Sequence, residues 1–283
     1  MNKKKMLGIP YYFWAAMFIV IPLCMVFYYG LTDKSGAFTL ENITAIASPE
    51  HSKALFLALL LSLIATIICL LLAYPLAMIL CGMNVNQHSF IVLLFILPMW
   101  MNFLLRTLAW QTLLEKTGVI NSVLTFLKLP TLNIINTPYA IILGMVYNFL
   151  PFMVLPLYNC LVKIDKNVIN AAKDLGANNV KTFTKIILPL SKPIIATVAV
   201  FVAVGHWNSW FDNHIYTRGS EDLTTLQYLL YNYLNEAQRL ADQIKNTSNM
   251  NGVSQMMASI SPKGVRMTIT VLASLPIFMV YPF

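Results

Sequence analysis

Apolar residues in this chain come in long blocks separated by shorter polar stretches. Runs free of charge, Arg106 apart, cover Tyr11 to Gly30, Ala54 to Leu80, Phe90 to Leu113, Tyr139 to Cys160, about Pro193 to Trp210 and about Met267 to Phe283. A helix rises 1.5 Å per residue, so about 20 apolar residues cross the roughly 30 Å hydrocarbon core of a bilayer. The pattern predicts an all-α integral membrane protein, one transmembrane domain over residues 1–283 with six transmembrane helices at about 11–30, 54–80, 90–113, 139–160, 193–210 and 267–283. The first block follows Lys3-Lys4-Lys5, as a secretory leader does, but it is longer than a leader's apolar core and no small-x-small cleavage site follows; it reads as a retained helix.

The polar stretches orient these spans. Lys3 to Lys5 and the segment 161–192 hold nine lysines against two acids, Asp165 and Asp174, whereas 31–53, 115–138 and 211–266 hold nine basic and nine acidic residues. Positive charge concentrates on the cytoplasmic side, so both termini and the loop 161–192 are expected there, with 211–266 outside the cell, in a bacterial cytoplasmic membrane. Within the outer stretch, Leu226, Leu229, Leu230, Tyr233 and Leu234 recur at helical spacing and predict an amphipathic helix; Asn246 to Gln255 reads as a loop.

Composition agrees with this picture. Of 283 residues 58% are hydrophobic and only 11% charged, about half the charge of a soluble domain, so lipid is the expected surrounding. The net charge of +8 lies in blocks beside apolar helices and argues for orientation rather than nucleic-acid binding. Cys24, Cys69, Cys81 and Cys160 lack metal-site spacing and read as packing residues. His206, Asp212 and His214 match no metal motif, and no catalytic triad, paired carboxylates or phosphate-binding glycine loop is found, so no catalytic residue, metal or cofactor is expected on this chain.

The most specific pattern lies in the basic loop: Asn170-Ala171-Ala172-Lys173-Asp174-Leu175-Gly176, nine residues, then Ile186-Ile187-Leu188-Pro189. Locally it predicts two short helices, with a left-handed turn at Gly176 and the second helix limited by Pro189. It resembles the EAA loop of ABC importer permeases, Glu-Ala-Ala, three residues, Gly, nine residues, Ile-x-Leu-Pro, with Asn170 in place of Glu. The resemblance implies a type I importer permease, the binding-protein-dependent inner membrane component. Asn170, Ala171, Ala172, Gly176, Ile186, Leu188 and Pro189 would then couple it to an ATP-binding subunit dimer that hydrolyses ATP. A second permease subunit and an extracytoplasmic substrate-binding protein are the other implied partners.

Over about residues 22–193 the likeness narrows. Phe95-Ile96-Leu97-Pro98-Met99-Trp100-Met101-Asn102-Phe103-Leu104-Leu105-Arg106-Thr107-Leu108-Ala109-Trp110 and Met145-Val146-Tyr147-Asn148-Phe149-Leu150-Pro151-Phe152 resemble spans of spermidine/putrescine permeases. From about 194 on, Val204-Gly205-His206-Trp207-Asn208-Ser209-Trp210-Phe211, Leu226-Gln227 and Met267 to Phe283 resemble carbohydrate permeases of the multiple-sugar type. The change falls in Leu188 to Pro193, a stretch common to both groups and therefore a place where two sequences can be joined. Family sequences continue past Tyr281-Pro282-Phe283, so a shortened or joined chain that transports nothing is a further expectation.

Polyamine transport is the leading reading, with carbohydrate transport as its alternative. The expected path residues are Trp100, Asn102, Arg106, Trp110 and Tyr147, the aromatics as cation–π faces and Arg106 snorkelling toward the outer surface. All eleven acids are expected in loops or at membrane edges, leaving substrate selection to the binding protein.

Overall fold

The computed structural model describes residues 8–32, 36–40, 44, 48–83, 90, 93, 95, 97–218, 220–246 and 263–280. Lys3 to Lys5, most of the segment Asn246 to Gln255 and Tyr281 to Phe283 lie outside them. The helices are α1 (Ile9–Ala15), α2 (Ile21–Gly30), α3 (Pro49–Gly82), α4 (Phe103–Leu114), α5 (Val119–Phe126), α6 (Pro138–Leu161), α7 (Lys166–Asp174), α8 (Asn179–Thr182), α9 (Leu188–Trp207), α10 (Trp210–Tyr216), α11 (Leu226–Asn246) and α12 (Lys263–Val280). Two units form, one from residues 1–56 and 226–283, the other from 57–225.

Among the described residues four continuous helices are long and apolar enough to cross a membrane: Pro10–Gly30, Pro49–Gly82, Pro138–Leu161 and Asn179–Trp207. They contain the predicted first, second and fourth spans and most of the fifth. The predicted third span is not one continuous helix. Helical residues end at Trp100, and Asn102 takes a non-helical ψ of 125° while its side chain accepts a hydrogen bond from the Leu104 amide (2.9 Å), restarting the chain as α4. Among the described residues the apolar part of the last predicted span is Met267–Met279, within α12.

Two of the long helices contain wide π turns, Ala16–Val20 and Phe183–Ile187, each ending two residues before a proline, Pro22 and Pro189. A proline ring crowds the carbonyl four residues earlier, and the wider turn gives it room. This corrects the expectation that Pro189 stops the second coupling helix. The chain winds without a break from Asn179 to Trp207.

In the unit 57–225 the long helix α3 presents Leu61, Ala65, Cys69, Ala73 and Ala77, all 0–2% exposed, at four-residue intervals. Small side chains let helix backbones approach closely where hydrocarbon offers no hydrophobic driving force. They join Ile141, Met145, Met153 and Leu157 of α6 and Val198 and Val202 of α9 in one core. Buried polar pairs tie the same helices: Thr66 Oγ1 to His206 Nδ1 (2.9 Å), His206 Nε2 to the Met145 carbonyl (3.2 Å), and Tyr74 to Ser191 (2.8 Å). In the other unit α12 packs on α2, where Thr268 donates to the Gly30 carbonyl (3.2 Å). The predicted amphipathic helix is α11, whose Tyr233 hydroxyl meets His51 Nε2 (3.1 Å).

Two glycines set the spacing in the larger unit. A β-carbon at Gly144 would overlap the Tyr216 ring and stand 3.1 Å from the Asp212 carboxylate; one at Gly205 would overlap the Phe149 ring. Because Tyr216 is fully buried, it has nowhere to retreat. Gly144→Val is expected to cost about 1–3 kcal/mol from overpacking and to lower the melting temperature in detergent. Gly82→Ala, where among the described residues nothing lies within 4 Å, is expected to leave it unchanged.

Candidate functional site

Two features stand out in the unit 57–225: a cavity between α4, α6, α9 and α10, and a capped double helix in the basic loop. The cavity holds about 470 Å³. Phe103, Phe149, Trp210 and Phe211 form much of its wall, and Arg106, Asn148 and Asp212 supply its charge and polarity.

Asp212 comes from α10, which turns back against α6 through the gap that Gly144 leaves open. Its carboxylate is 3% exposed and accepts hydrogen bonds from Asn148 Nδ2 (3.0 Å) and from the Ser209 hydroxyl. Asn148 lies about 15 Å along α6 from its first residue, near the middle of that 24-residue helix. A carboxylate bonded there corrects the expectation that all eleven acids lie in loops or at membrane edges. Hydropathy hid it, because a short helix doubling back carries no long apolar run. The available signal was the polar spacing of Asn208, Ser209, Asp212 and Asn213 among aromatic residues.

Arg106 does not reach outward. It is 7% exposed, its Nη1 donates to the Pro98 carbonyl (2.6 Å), and its guanidinium stands 5.7 Å from the centre of the Tyr147 ring. The remaining expected path residues do not converge on the cavity. Trp100 is 77% exposed, Asn102 caps α4, and Trp110 packs edge-on against Tyr147 (5.1 Å) in a separate hollow lined by Ile64, Ile68 and Leu72. His206 bonds to Thr66 and Met145, Asp212 to Asn148 and Ser209, while His214 lies beside the Trp210 and Phe211 rings, so these three do not share a centre.

The double helix is built from capping chemistry. Asp165 caps α7 by accepting from the Asn167 amide (2.8 Å). At the other end Gly176, with φ +80°, donates to the Lys173 carbonyl (2.9 Å) while Ala177 donates to that of Ala172 (3.0 Å). This is the Schellman closure that a left-handed residue permits. Asn178 then caps α8, accepting from the Lys181 amide (2.8 Å). Ala172 is buried, and Asn170, Ala171 and Gly176 are exposed. Leu175 (89% exposed) and Val180 (67%) project from the tip. Ile186 lies in the π turn, and Leu188 and Pro189 begin α9, the helix that reaches the cavity.

Two helices long and apolar enough to cross a membrane, α6 and the helix that ends in α9, help to wall a cavity with charged residues, an arrangement that fits an integral membrane protein. No family model matches the sequence. The spermidine/putrescine transport system permease protein PotB of Escherichia coli is 36% identical over 197 residues, covering 67% of this chain and 72% of that protein. The PotB of Haemophilus influenzae is 35% identical over 198 residues, 67% of this chain and 69% of that one. A chain of the crystal structure of a bacterial alginate ABC transporter, in complex with a pentasaccharide-bound periplasmic protein, superposes with a TM-score of 0.74 over 98% of this chain and 90% of its own, at 16% identity. The chain belongs to the ABC-importer permease family that includes PotB.

Removing one partner of a buried carboxylate leaves the other unpaired. Asn148→Leu is expected to destabilise the protein by about 1–3 kcal/mol, read as a lower melting temperature in detergent, with Asn148→Gln milder than Leu.

Proposed function

We propose that this chain is a transmembrane subunit of an ATP-driven importer that carries polyamines, spermidine or putrescine, across a bacterial cytoplasmic membrane. Its helices would form six spans with both termini inside, and 161–192 would dock on the partner that hydrolyses ATP. A second permease subunit would complete the pore, and an extracytoplasmic binding protein would deliver substrate. The observation that carries this reading is the 36% identity to the E. coli spermidine/putrescine permease. The exposed tip of the basic loop, with Leu175 and Val180 at its end, is consistent with a surface that meets a partner.

A carbohydrate importer is the second reading. It draws on the fold shared with the alginate transporter chain and on the sugar-permease likeness beyond residue 194. Uptake of radiolabelled spermidine, putrescine and maltose separates the two, measured in vesicles containing this chain with each candidate set of partner subunits. Saturable, ATP-dependent polyamine uptake is expected. Sugar uptake instead would move the assignment, and no uptake with any set would favour a chain that does not transport.

The coupling role has its own test. Among the described residues nothing lies within 4 Å of a β-carbon at Gly176, so a substitution there strains the backbone, by about 1–2 kcal/mol. Gly176→Val is expected to leave the chain inserted and folded while reducing uptake and substrate-stimulated ATP hydrolysis about tenfold or more. Gly176→Asn, which tolerates the left-handed region, is expected to retain more of both.

A further inference from the structure

Asp212 and its surroundings have bonding capacity that the fold does not use. Each carboxylate oxygen accepts one bond from a neutral donor, which leaves further lone pairs. Among the described residues no basic side chain forms an ion pair with it. Asn148 Oδ1, on the same cavity wall, is buried without a partner. A carboxylate without a direct ion pair and an orphan carbonyl oxygen side by side at this depth are costly unless something that donates hydrogen bonds and carries positive charge visits them.

The neighbouring rings suit such a visitor. Phe149, Trp210 and Phe211 line the same cavity, and aromatic faces attract a desolvated cation. Arg106, the permanent cation of the cavity wall, is turned to the Pro98 carbonyl and the Tyr147 ring. From there it attracts the Asp212 carboxylate through space without an ion pair, and it repels a second positive charge. A passage site needs that balance, attractive enough to enter and weak enough to leave.

Resting on the polyamine reading above, we propose that this cavity is a transit site for one protonated amine of the substrate, held between the Asp212 carboxylate and Asn148 Oδ1 and weakened by Arg106. The proposal demands opposite effects from two substitutions of opposite charge. In the assembled transporter in lipid nanodiscs, equilibrium binding of radiolabelled spermidine is expected to weaken about tenfold or more in Asp212→Asn and to remain near wild type in Asp212→Glu. In Arg106→Gln it is expected to tighten several-fold, with slower release during turnover.

Melting temperatures identify variants that fold. Spermidine binding unchanged in Asp212→Asn overturns the proposal, and the importer reading survives if the wild-type complex still takes up spermidine. If Asp212→Asn does not assemble, Arg106→Gln decides, since unchanged or weaker binding there overturns the proposal equally. A wild-type complex that takes up maltose and not spermidine removes both readings together.

Discussion

The approach of α10 to α6 depends on Gly144 having no side chain. With that gap the Tyr216 ring seats against α6, its hydroxyl reaches the Thr107 carbonyl (3.4 Å), and α10 holds Asp212 where Asn148 can bond to it. Any larger residue would push α10 away and separate the carboxylate from its partner. A carboxylate inside an apolar bundle persists only where donors are fixed in advance. The cavity and its charge are therefore consequences of helix spacing, and helix spacing here is set by small residues, on α3 as much as on α6 and α9.

Much of this architecture was legible from residue types. Length and apolarity locate the long helices, because hydrocarbon demands about 20 uncharged residues in a row. Capping chemistry locates the double helix, because only a left-handed residue at Gly176 satisfies the end of α7 so compactly. What escaped the sequence were the features that hydropathy averages away. The break at Asn102 lies inside an apolar run and depends on one side chain bonding to one amide, although an Asn before apolar residues is a recognisable helix start. The inward turn of Arg106 likewise required knowing that the Pro98 carbonyl would be within its reach. Asp212 appeared to be an edge residue because α10 is too short to register as a buried element.

The change of sequence character near residue 193 leaves no mark on the fold. The core continues from Ile187 and Leu188 into Val198 and Val202, and the helix that crosses the boundary is unbroken. The alginate transporter chain superposes on both sides of it. A common scaffold thus accommodates both sequence styles, and the distinctive chemistry on the far side, Asp212 above all, is set against α6, which belongs to the near side.

The helix from Asn179 to Trp207 also has a mechanical meaning. Its 29 residues extend about 43 Å. One end is seated on the cap at Asn178, and Gly205 and Asn208, at the other, belong to the cavity wall. Between them there is no loop to absorb movement; the π turn at 183–187 and the prolines Pro189 and Pro193 are the places where its backbone hydrogen bonding departs from a regular α-helix. If the exposed tip docks as proposed, a tilt imposed there would reach the cavity as a lever stroke, enlarged or diminished according to where the rod pivots.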